Sequence, residues 1–239
     1  MLRKKAILLI HGFAGGAYDY GNLPNDLEFV NNYKVFTYTL PGHDKAIINK
    51  VTKDDWIKMS EMQIEKIIKH GYKEIYVIGH SMGGVLAAYL ASKYKEVKKV
   101  VLAAAAFKHI LSNYKTIDLI KKYQEIIKSY SLSVVIDRIN KLHPSCLKEF
   151  LNLVKEKQSV LKDVKCPIMI IQGMDDELVP VSTAFMIFNN VNSKVKRLVL
   201  CDNCNHHVFK CKNNEIIIKN IEKFLNTKVY IKKTEFINL

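Results

Sequence analysis

The chain has 239 residues, of which 49% are hydrophobic and 25% are charged, and this length and composition fit one globular α/β domain better than two domains. No collagen-like period, low-complexity tract or repeat is present. The formal net charge is +14, but only three of the 37 basic residues are arginine. Because arginine is the residue suited to bidentate phosphate recognition, we expect no nucleic-acid partner.

Short apolar runs alternate along the chain with longer segments of helical periodicity. The predicted strands, in chain order, are residues 5–10, 33–40, 74–78, 98–106, 166–171 and 197–201. The predicted helices are residues 52–70, 82–94, 181–190 and 216–225. This alternation predicts βαβ units, and therefore an α/β fold with a mainly parallel sheet flanked by helices. Residues 226–239 match neither pattern.

One segment, residues 107–163, interrupts the alternation of strands and helices. It contains no convincing strand, and its amphipathic helical patterns cover residues 118–130 and 147–161. Because the segment is inserted between two predicted core strands, we interpret it as a small helical cap. The whole chain, residues 1–239, is then a single domain.

The predicted location is cytoplasmic. The basic N-terminus is followed by an apolar run, residues 6–10, that is too short for a signal peptide and lacks a small-residue cleavage site. No window reaches the apolar length of a membrane span, so we expect no integral membrane segment. The sequence leaves the oligomeric state open.

Five cysteines, an odd number in a chain without a visible signal peptide, predict free thiols. A zinc site is the alternative for the segment from Cys201 to Cys211, which also contains Cys204, His206 and His207. Two features argue against zinc. The close spacing leaves little room for two separate ligand pairs, and Cys201 ends an apolar run as a buried strand residue does. We therefore expect no metal.

The motif Gly79-His-Ser81-Met-Gly83 has the form G-x-S-x-G and lies between a predicted strand and a predicted helix. A sharp turn in this context exposes the serine hydroxyl above the sheet, and the glycines allow strand and helix to approach closely. The helix N-terminus brings the Met82 N–H and a positive dipole end to the same point. The alternative is an ordinary glycine-rich connection without catalytic meaning.

A nucleophilic serine needs a base, and the base needs an orienting acid. The loop after the strand that ends near Gly173 contains two candidate acids, Asp175 and Asp176. The loop after the next strand contains two candidate bases, His206 and His207. The chain order Ser, Asp, His is the order that this type of fold requires, and the residue that is not used in each pair is expected to be an ordinary loop residue.

The loop after the first strand, HGFAGG at residues 11–16, is the candidate second half of an oxyanion hole. Its glycines permit a backbone turn that directs an amide toward the Ser81 hydroxyl, and the candidate amide is the N–H of Phe13. A plain glycine-rich connection is the alternative. A phosphate-binding loop is excluded because neither glycine-rich phosphate motif is present here.

The chain resembles the bacterial carboxylesterase and monoacylglycerol lipase branch of the α/β-hydrolases. The matching pieces, in the family's order over roughly residues 5 to 225, are HGFAGG (11–16), LPGH (40–43), GHSMGG (79–84), GMDD (173–176) with VP (179–180), and DNCNH (202–206). The resemblance implies Ser81 as nucleophile, Asp176 as acid, His206 as base, and the amides of Phe13 and Met82 as oxyanion donors. It implies no cofactor.

The choice between His206 and His207 depends on the turn that leads to them. Asn205 stands where the family often has glycine, and asparagine tolerates a left-handed conformation better than most residues. A base at His207 would put the bulkier His206 at that position. Against this, the apolar residues Val208 and Phe209 follow His207, as they often follow the family's base.

The expected function is hydrolysis of small-molecule carboxylic esters through an acyl-enzyme intermediate. Thioesterase, lipase, perhydrolase and peptidase activities are alternatives on the same residues. A non-catalytic binding protein and a basic module that binds membranes or nucleic acid are alternatives of another class, and salt-dependent binding would reveal the latter.

Overall fold

Seven parallel strands form one sheet in the computed structural model, which describes residues 5–31, 33–43, 50–108, 145–227 and 233–239. The strands are β1 Lys5–Ile10, β2 Lys34–Thr37, β3 Glu74–His80, β4 Val97–Ala103, β5 Ile168–Gly173, β6 Val195–Cys201 and β7 Lys233–Asn238. Their order across the sheet is β2-β1-β3-β4-β5-β6-β7. The predicted α/β class with a parallel sheet is confirmed.

The chain reverses direction across the sheet after β2, because β1 lies between β2 and β3. In open parallel sheets, ligands bind beyond the carboxyl ends of the strands at such a reversal point. The loop that follows β1 and the turn that follows β3 therefore share one crevice. These are the two segments that carry Phe13 and Ser81.

Six helices lie among the described residues, with two short 3-10 segments, Ala17–Tyr20 and Gln158–Asp163. The helices are α1 Leu23–Asn31, α2 Lys53–Lys69, α3 Met82–Lys93, α4 Ser145–Lys157, α5 Ser182–Asn190 and α6 Asn214–Asn226. Helix α2 shows how local chemistry sets the ends. The Thr52 N–H donates to the Asp55 carboxylate at 2.8 Å, and Gly71, with φ +85°, follows the last turn as the sequence predicts.

The strands are apolar along their length because both faces of the sheet are covered. Along β1, Leu8 and Ile10 are buried with the side chains of α2, α3 and α4. Ile7 and Leu9 point to the other face, where they join Tyr20 and the buried side of α6. Hydrophobic side chains thus pack against both faces of the sheet and fix the position of the carboxyl ends of its strands.

The predicted cap falls mostly outside the described residues, since positions 109–144 are not among them. Its last part is described as α4 and the 3-10 segment Gln158–Asp163. Helix α4 packs against α2 and α3 and buries Leu147, Phe150 and Leu153 in the main core. The interpretation of the segment as a cap stays a prediction.

The C-terminal residues, which have no recognisable sequence pattern, form the edge strand β7. This strand pairs in parallel with β6, and the Asp202 N–H donates to the Leu239 carbonyl at 2.7 Å. At β4 the predicted strand is too long. It ends at Ala103 because Ala104 has φ +46°, a conformation that no extended strand contains.

Candidate active site

Ser81 occupies a strained turn between β3 and α3. Its backbone has φ +54° and ψ −117°, a region that side chains other than glycine rarely adopt. Three hydrogen bonds hold this conformation: the Ser81 N–H donates to the Ala103 carbonyl at 2.9 Å, and its carbonyl accepts from Gly84 at 2.9 Å and Ala106 at 3.1 Å. The surrounding strands and helix therefore impose the strain on Ser81.

The glycines on either side of Ser81 permit the close approach that the sequence predicts. A side chain on Gly83 would overlap the carbonyl oxygen of Ile10, and one on Gly79 would overlap the backbone of Gly83. Helix α3 consequently begins directly against the end of β1. This contact brings the Ser81 turn next to the loop that contains Phe13.

Asp176 is the buried carboxylate in the loop after β5. Its Oδ1 accepts hydrogen bonds from the backbone N–H groups of Leu178 and Val179, both at 2.9 Å, and its Oδ2 accepts from Gln172 Nε2 at 2.8 Å. Burial alone would raise the pKa of Asp176, but His206 and these donors outweigh it and lower the pKa below its ordinary 3.8. The carboxylate is thus kept ionised.

Asp175, the competing aspartate, is exposed to solvent. Its backbone N–H donates to the Cys204 carbonyl at 3.0 Å, which joins the loop after β5 to the loop after β6. The side chain of Asp175 thus corresponds to the solvated loop carboxylate that the sequence analysis expected for one of the pair.

His206 meets Asp176 in the interior. Its Nδ1 lies 2.9 Å from Oδ2 and 3.1 Å from Oδ1 of the carboxylate. A carboxylate can only accept, so Nδ1 carries the proton and Nε2 keeps its lone pair when the imidazole is neutral. This is the tautomer in which Nε2 can take a proton from another group.

His207 takes a different position. Its ring stacks on that of His80, with centroids 5.9 Å apart, and burial lowers its pKa to about 3. Its backbone N–H donates to the Asn205 side chain at 3.0 Å. The structure therefore brings together Asp176 and His206 as the hydrogen-bonded acid–base pair.

The predicted left-handed turn is wrong in its position. We expected Asn205 to adopt it, but the positive φ, +51°, belongs to Asn203. The positive φ occurs two residues earlier because the Cys204 carbonyl accepts a hydrogen bond from the Asp175 N–H in the loop after β5. The two loops lie so close that a side chain on Gly173 would overlap the same carbonyl. Asparagine still supplies the tolerant residue, two positions closer to the strand.

The loop after β1 is held by a histidine that the sequence analysis did not single out. His11 Nδ1 lies 2.8 Å from the Gly12 carbonyl, and His11 Nε2 accepts from the Leu40 N–H at 2.9 Å. The Gly12 carbonyl also accepts from the Gly15 N–H at 3.1 Å. Because a trans peptide directs its N–H opposite to its carbonyl, these bonds set the direction of the Phe13 N–H.

The same loop lies close to Ser81. A side chain built on Gly12 would stand 3.0 Å from the Ser81 Cβ, so only glycine leaves space beside the serine. The Phe13 ring is anchored by stacking on Phe150 of α4, with centroids 5.1 Å apart. Met82, the second predicted oxyanion donor, is the first residue of α3. Its backbone N–H therefore belongs to the unpaired first turn of that helix.

Two more side chains at the site were missed at the level of sequence. Gln172 bonds Asp176, and His80 Nε2 lies 2.9 Å from the His206 carbonyl oxygen. Both lie at the carboxyl ends of observed strands, β5 and β3, just beyond residues 171 and 78 where the predicted strands end. That position was the available signal, but it does not reveal their partners.

The segment from Cys201 to Cys211 after β6 contains the cysteines and histidines of the alternative zinc site. Within the described ranges, no group of three or more His, Cys, Asp and Glu side chains is arranged to hold a metal ion. All five cysteines carry free thiols.

Among the helices that the structure describes, none has the length and apolar character required to cross a membrane.

The family model described as alpha/beta hydrolase fold matches residues 5–126, which include the first four strands, the Phe13 loop and the Ser81 turn. The chain belongs to the α/β-hydrolase fold family. A second family model, described as serine aminopeptidase S33, matches residues 108–213 of this α/β-hydrolase and so spans Asp176 and His206.

Curated relatives of this α/β-hydrolase include two bacterial enzymes. A carboxylesterase of Bacillus subtilis (strain 168) is 24% identical over 229 residues, which cover 92% of each chain. A thermostable monoacylglycerol lipase of Bacillus sp. (strain H-257) is 26% identical over 206 residues, covering 84% of this chain and 82% of the lipase. The resemblance stated from the sequence motifs is confirmed.

The solved structure of a metagenome-derived lipolytic enzyme has the same fold. It superimposes with a TM-score of 0.74 at 20% identity, over 93% of each chain. At this identity the likeness concerns the fold alone.

Proposed function

We propose that the protein is a serine hydrolase that cleaves small-molecule carboxylic esters through an acyl-enzyme intermediate. In this mechanism Ser81 attacks the ester carbonyl while His206 Nε2 accepts the hydroxyl proton, and the same proton is then given to the leaving alcohol. Water, activated by His206, hydrolyses the acyl-enzyme and frees Ser81.

The single observation that carries the proposal is the buried hydrogen bond between His206 Nδ1 and the Asp176 carboxylate. It selects the imidazole tautomer whose Nε2 can act as a base, and it stabilises the imidazolium that forms after proton transfer. Asp176 is itself held by three donors, so the pair is preorganised before substrate binds. The strained Ser81 turn supports the assignment of the nucleophile.

The backbone N–H groups of Phe13 and Met82 are the proposed donors to the oxyanion. Negative charge develops on the carbonyl oxygen in the transition state, and fixed backbone donors stabilise it without reorganisation. The Phe13 amide is oriented by the bonds to the Gly12 carbonyl. The Met82 amide adds the positive end of α3.

Esters are the proposed substrates because relatives that align over most of the chain are named carboxylesterase and monoacylglycerol lipase. An aminopeptidase is the second candidate, since the family model over residues 108–213 carries that description. The same Ser, His and Asp roles serve both reactions. The leaving group therefore has to be decided by kinetics.

A fluorophosphonate probe tests the nucleophile. We expect a single label at Ser81, and we expect Ser81→Ala to abolish both labelling and ester hydrolysis. Ser92→Ala is the matched control, because Ser92 lies on the same helix and its hydroxyl donates to the Tyr89 carbonyl at 2.8 Å. Labelling that survives in Ser81→Ala would contradict the proposal.

A substrate panel tests the leaving group and the acyl group. It contains esters of increasing acyl length, one thioester, one aminoacyl amide and one peptide, each compared by kcat/KM. We expect the esters to give the highest values. A higher kcat/KM for the amide or the peptide would replace the esterase assignment by the peptidase one.

A further inference from the structure

His80, the residue before Ser81, is a buried polar side chain that the proposed mechanism does not use. It is the last residue of β3, and alternation along the strand directs its side chain to the same face as Ile78, away from α3. On that face its ring lies among the rings of His206, His207 and Phe209, at centroid distances of 5.0, 5.9 and 6.1 Å.

The protonation of His80 follows from its hydrogen bond. Its Nε2 lies 2.9 Å from the backbone carbonyl of His206, and a carbonyl oxygen can only accept, so Nε2 carries the proton. Nδ1 then holds a lone pair, and this buried atom has no hydrogen-bond partner among the residues that the structure describes. Gly12 faces it, since a side chain there would stand 3.2 Å from Nδ1.

His80 is also kept neutral. Burial, the largest cause, and a charge on His206 lower its pKa, whereas Asp19, the bond to the His206 carbonyl and Asp176 raise it. The net result is a pKa of about 4. A second positive charge beside His206 would oppose formation of the imidazolium. A neutral donor on Nε2 avoids that conflict.

We propose that His80 is a positioning residue that holds the His206 ring at its working distance from Ser81, through the hydrogen bond to the His206 carbonyl. His206 is then fixed at two points, by Asp176 at the side chain and by His80 at the backbone. Because His80 and Ser81 are consecutive, the second bond ties the base directly to the nucleophile's own turn. The proposal rests on the proposed function of Ser81 and His206.

The other hydrogen bonds of the loop after β6 show what the bond from His80 to the His206 carbonyl adds. Asn203 interrupts the extended backbone with its positive φ, and the Cys204 carbonyl is bonded to Asp175 rather than to the nucleophile turn. The His207 carbonyl accepts from the Lys210 N–H at 2.8 Å, which closes a turn within the loop itself. Only the bond from His80 joins the His206 backbone to β3 among these contacts.

Two substitutions at His80 separate the hydrogen bond from mere space filling. His80→Leu removes the donor, whereas the amide nitrogen of His80→Gln occupies nearly the position of Nε2 and can still donate to the His206 carbonyl. We expect His80→Leu to lower kcat about tenfold to a hundredfold with little change in KM, as small displacements of catalytic groups do. We expect His80→Gln to recover most of the loss.

Lys99→Met is the matched control. The Lys99 ammonium group donates to the backbone carbonyls of Phe224, Leu225 and Thr227, each at 2.7 Å, on the same face of the sheet but near the start of β4, at the opposite end of the strand from the Ser81 turn. We expect Lys99→Met to destabilise the fold while kcat stays near that of the unmodified protein. An equal fall in kcat for Lys99→Met and His80→Leu would overturn the proposal.

A spectroscopic measurement makes the outcome independent of substrate. We expect the proton on His206 Nδ1, bonded to Asp176, to give a far-downfield ¹H NMR signal in the folded protein, which the Asp176→Asn variant would identify. We expect His80→Leu to broaden this signal and speed its exchange with water, and His80→Gln to preserve it. An unchanged signal in His80→Leu would overturn the proposal.

The NMR signal also distinguishes a failure of the His80 proposal from a failure of the proposed serine mechanism. If Ser81→Ala still hydrolysed esters, the serine mechanism would fail, yet the His206 signal would still report whether His80 positions that ring. If His80→Leu does not fold, His80→Asn replaces it, because the shorter amide cannot reach the His206 carbonyl. A kcat and an NMR signal in His80→Asn equal to those of His80→Gln would overturn the proposal.

Discussion

At the level of single residues, Asp175 and Asp176 are adjacent in the chain but differ in their surroundings. Asp176 has three donors and His206 around its carboxylate, whereas Asp175 is exposed. We expect Asp176→Asn to lower kcat by about 10⁴-fold, because an amide favours the wrong imidazole tautomer. Asp175→Asn is the control and should change kcat by no more than about twofold, as exposed substitutions usually do. A larger effect of Asp175→Asn on kcat would reverse the assignment.

The two neighbouring histidines are distinguished in the same way. We expect His206→Gln to lose nearly all kcat/KM, because glutamine cannot relay a proton from Ser81 to the leaving group. His207→Gln should retain most of it, since the His207 ring lies against His80 and not against the Asp176 carboxylate. Both values are measured at one pH with one ester. An inactive His207→Gln together with an active His206→Gln would show that the base is misassigned.

At the level of elements, α4 connects the predicted cap to the candidate site. Phe150 on α4 stacks on Phe13, whose amide is a proposed oxyanion donor. If residues 107–163 form a cap over the acyl pocket, Phe150→Leu should shift the ratio of kcat/KM between short and long acyl esters, because it changes the pocket wall. Leu153→Ala, which truncates a buried side chain of the same helix and leaves the ring stacked on Phe13 intact, should lower stability without shifting the ratio. A change in stability alone for Phe150→Leu would make this part of the segment structural.

At the level of the whole molecule, buried histidines make stability depend on pH. Burial lowers the pKa of His207 to about 3, below its ordinary 6.5, and lowers the pKa of His80 to about 4. Between about pH 6.5 and pH 3 the unfolded chain binds more protons than the folded chain. The free energy of unfolding therefore falls as the pH falls from about 6.5 toward 3. We expect urea unfolding to show this fall. We expect His207→Gln to reduce the slope of the unfolding free energy against pH, with the value of each protein taken relative to its own value at pH 8. An equal slope in the two proteins would contradict the lowered pKa of His207.

Several elements could be predicted because their chemistry is local. Strand β1 is an unbroken apolar run, and α2 carries its own capping residues at Thr52 and Asp55. Strand β7 could not be predicted, because Lys233–Asn238 has the composition of an exposed edge and gains its order from pairing with β6. The turn at Asn203 could not be placed either, since the carbonyl that determines it is bonded to a residue in another loop.

The sequence by itself determined the family, the chemical types of the candidate triad and their order along the chain. These are properties of motifs, in which each residue is constrained by its immediate neighbours. Only the tertiary structure decided which aspartate and which histidine are hydrogen-bonded to each other, and that Gln172 bonds Asp176 while His80 bonds the His206 carbonyl. The reason is physical. Hydrogen bonds between loops after different strands depend on the register and order of the sheet, and no local pattern in the chain encodes the distance between those loops.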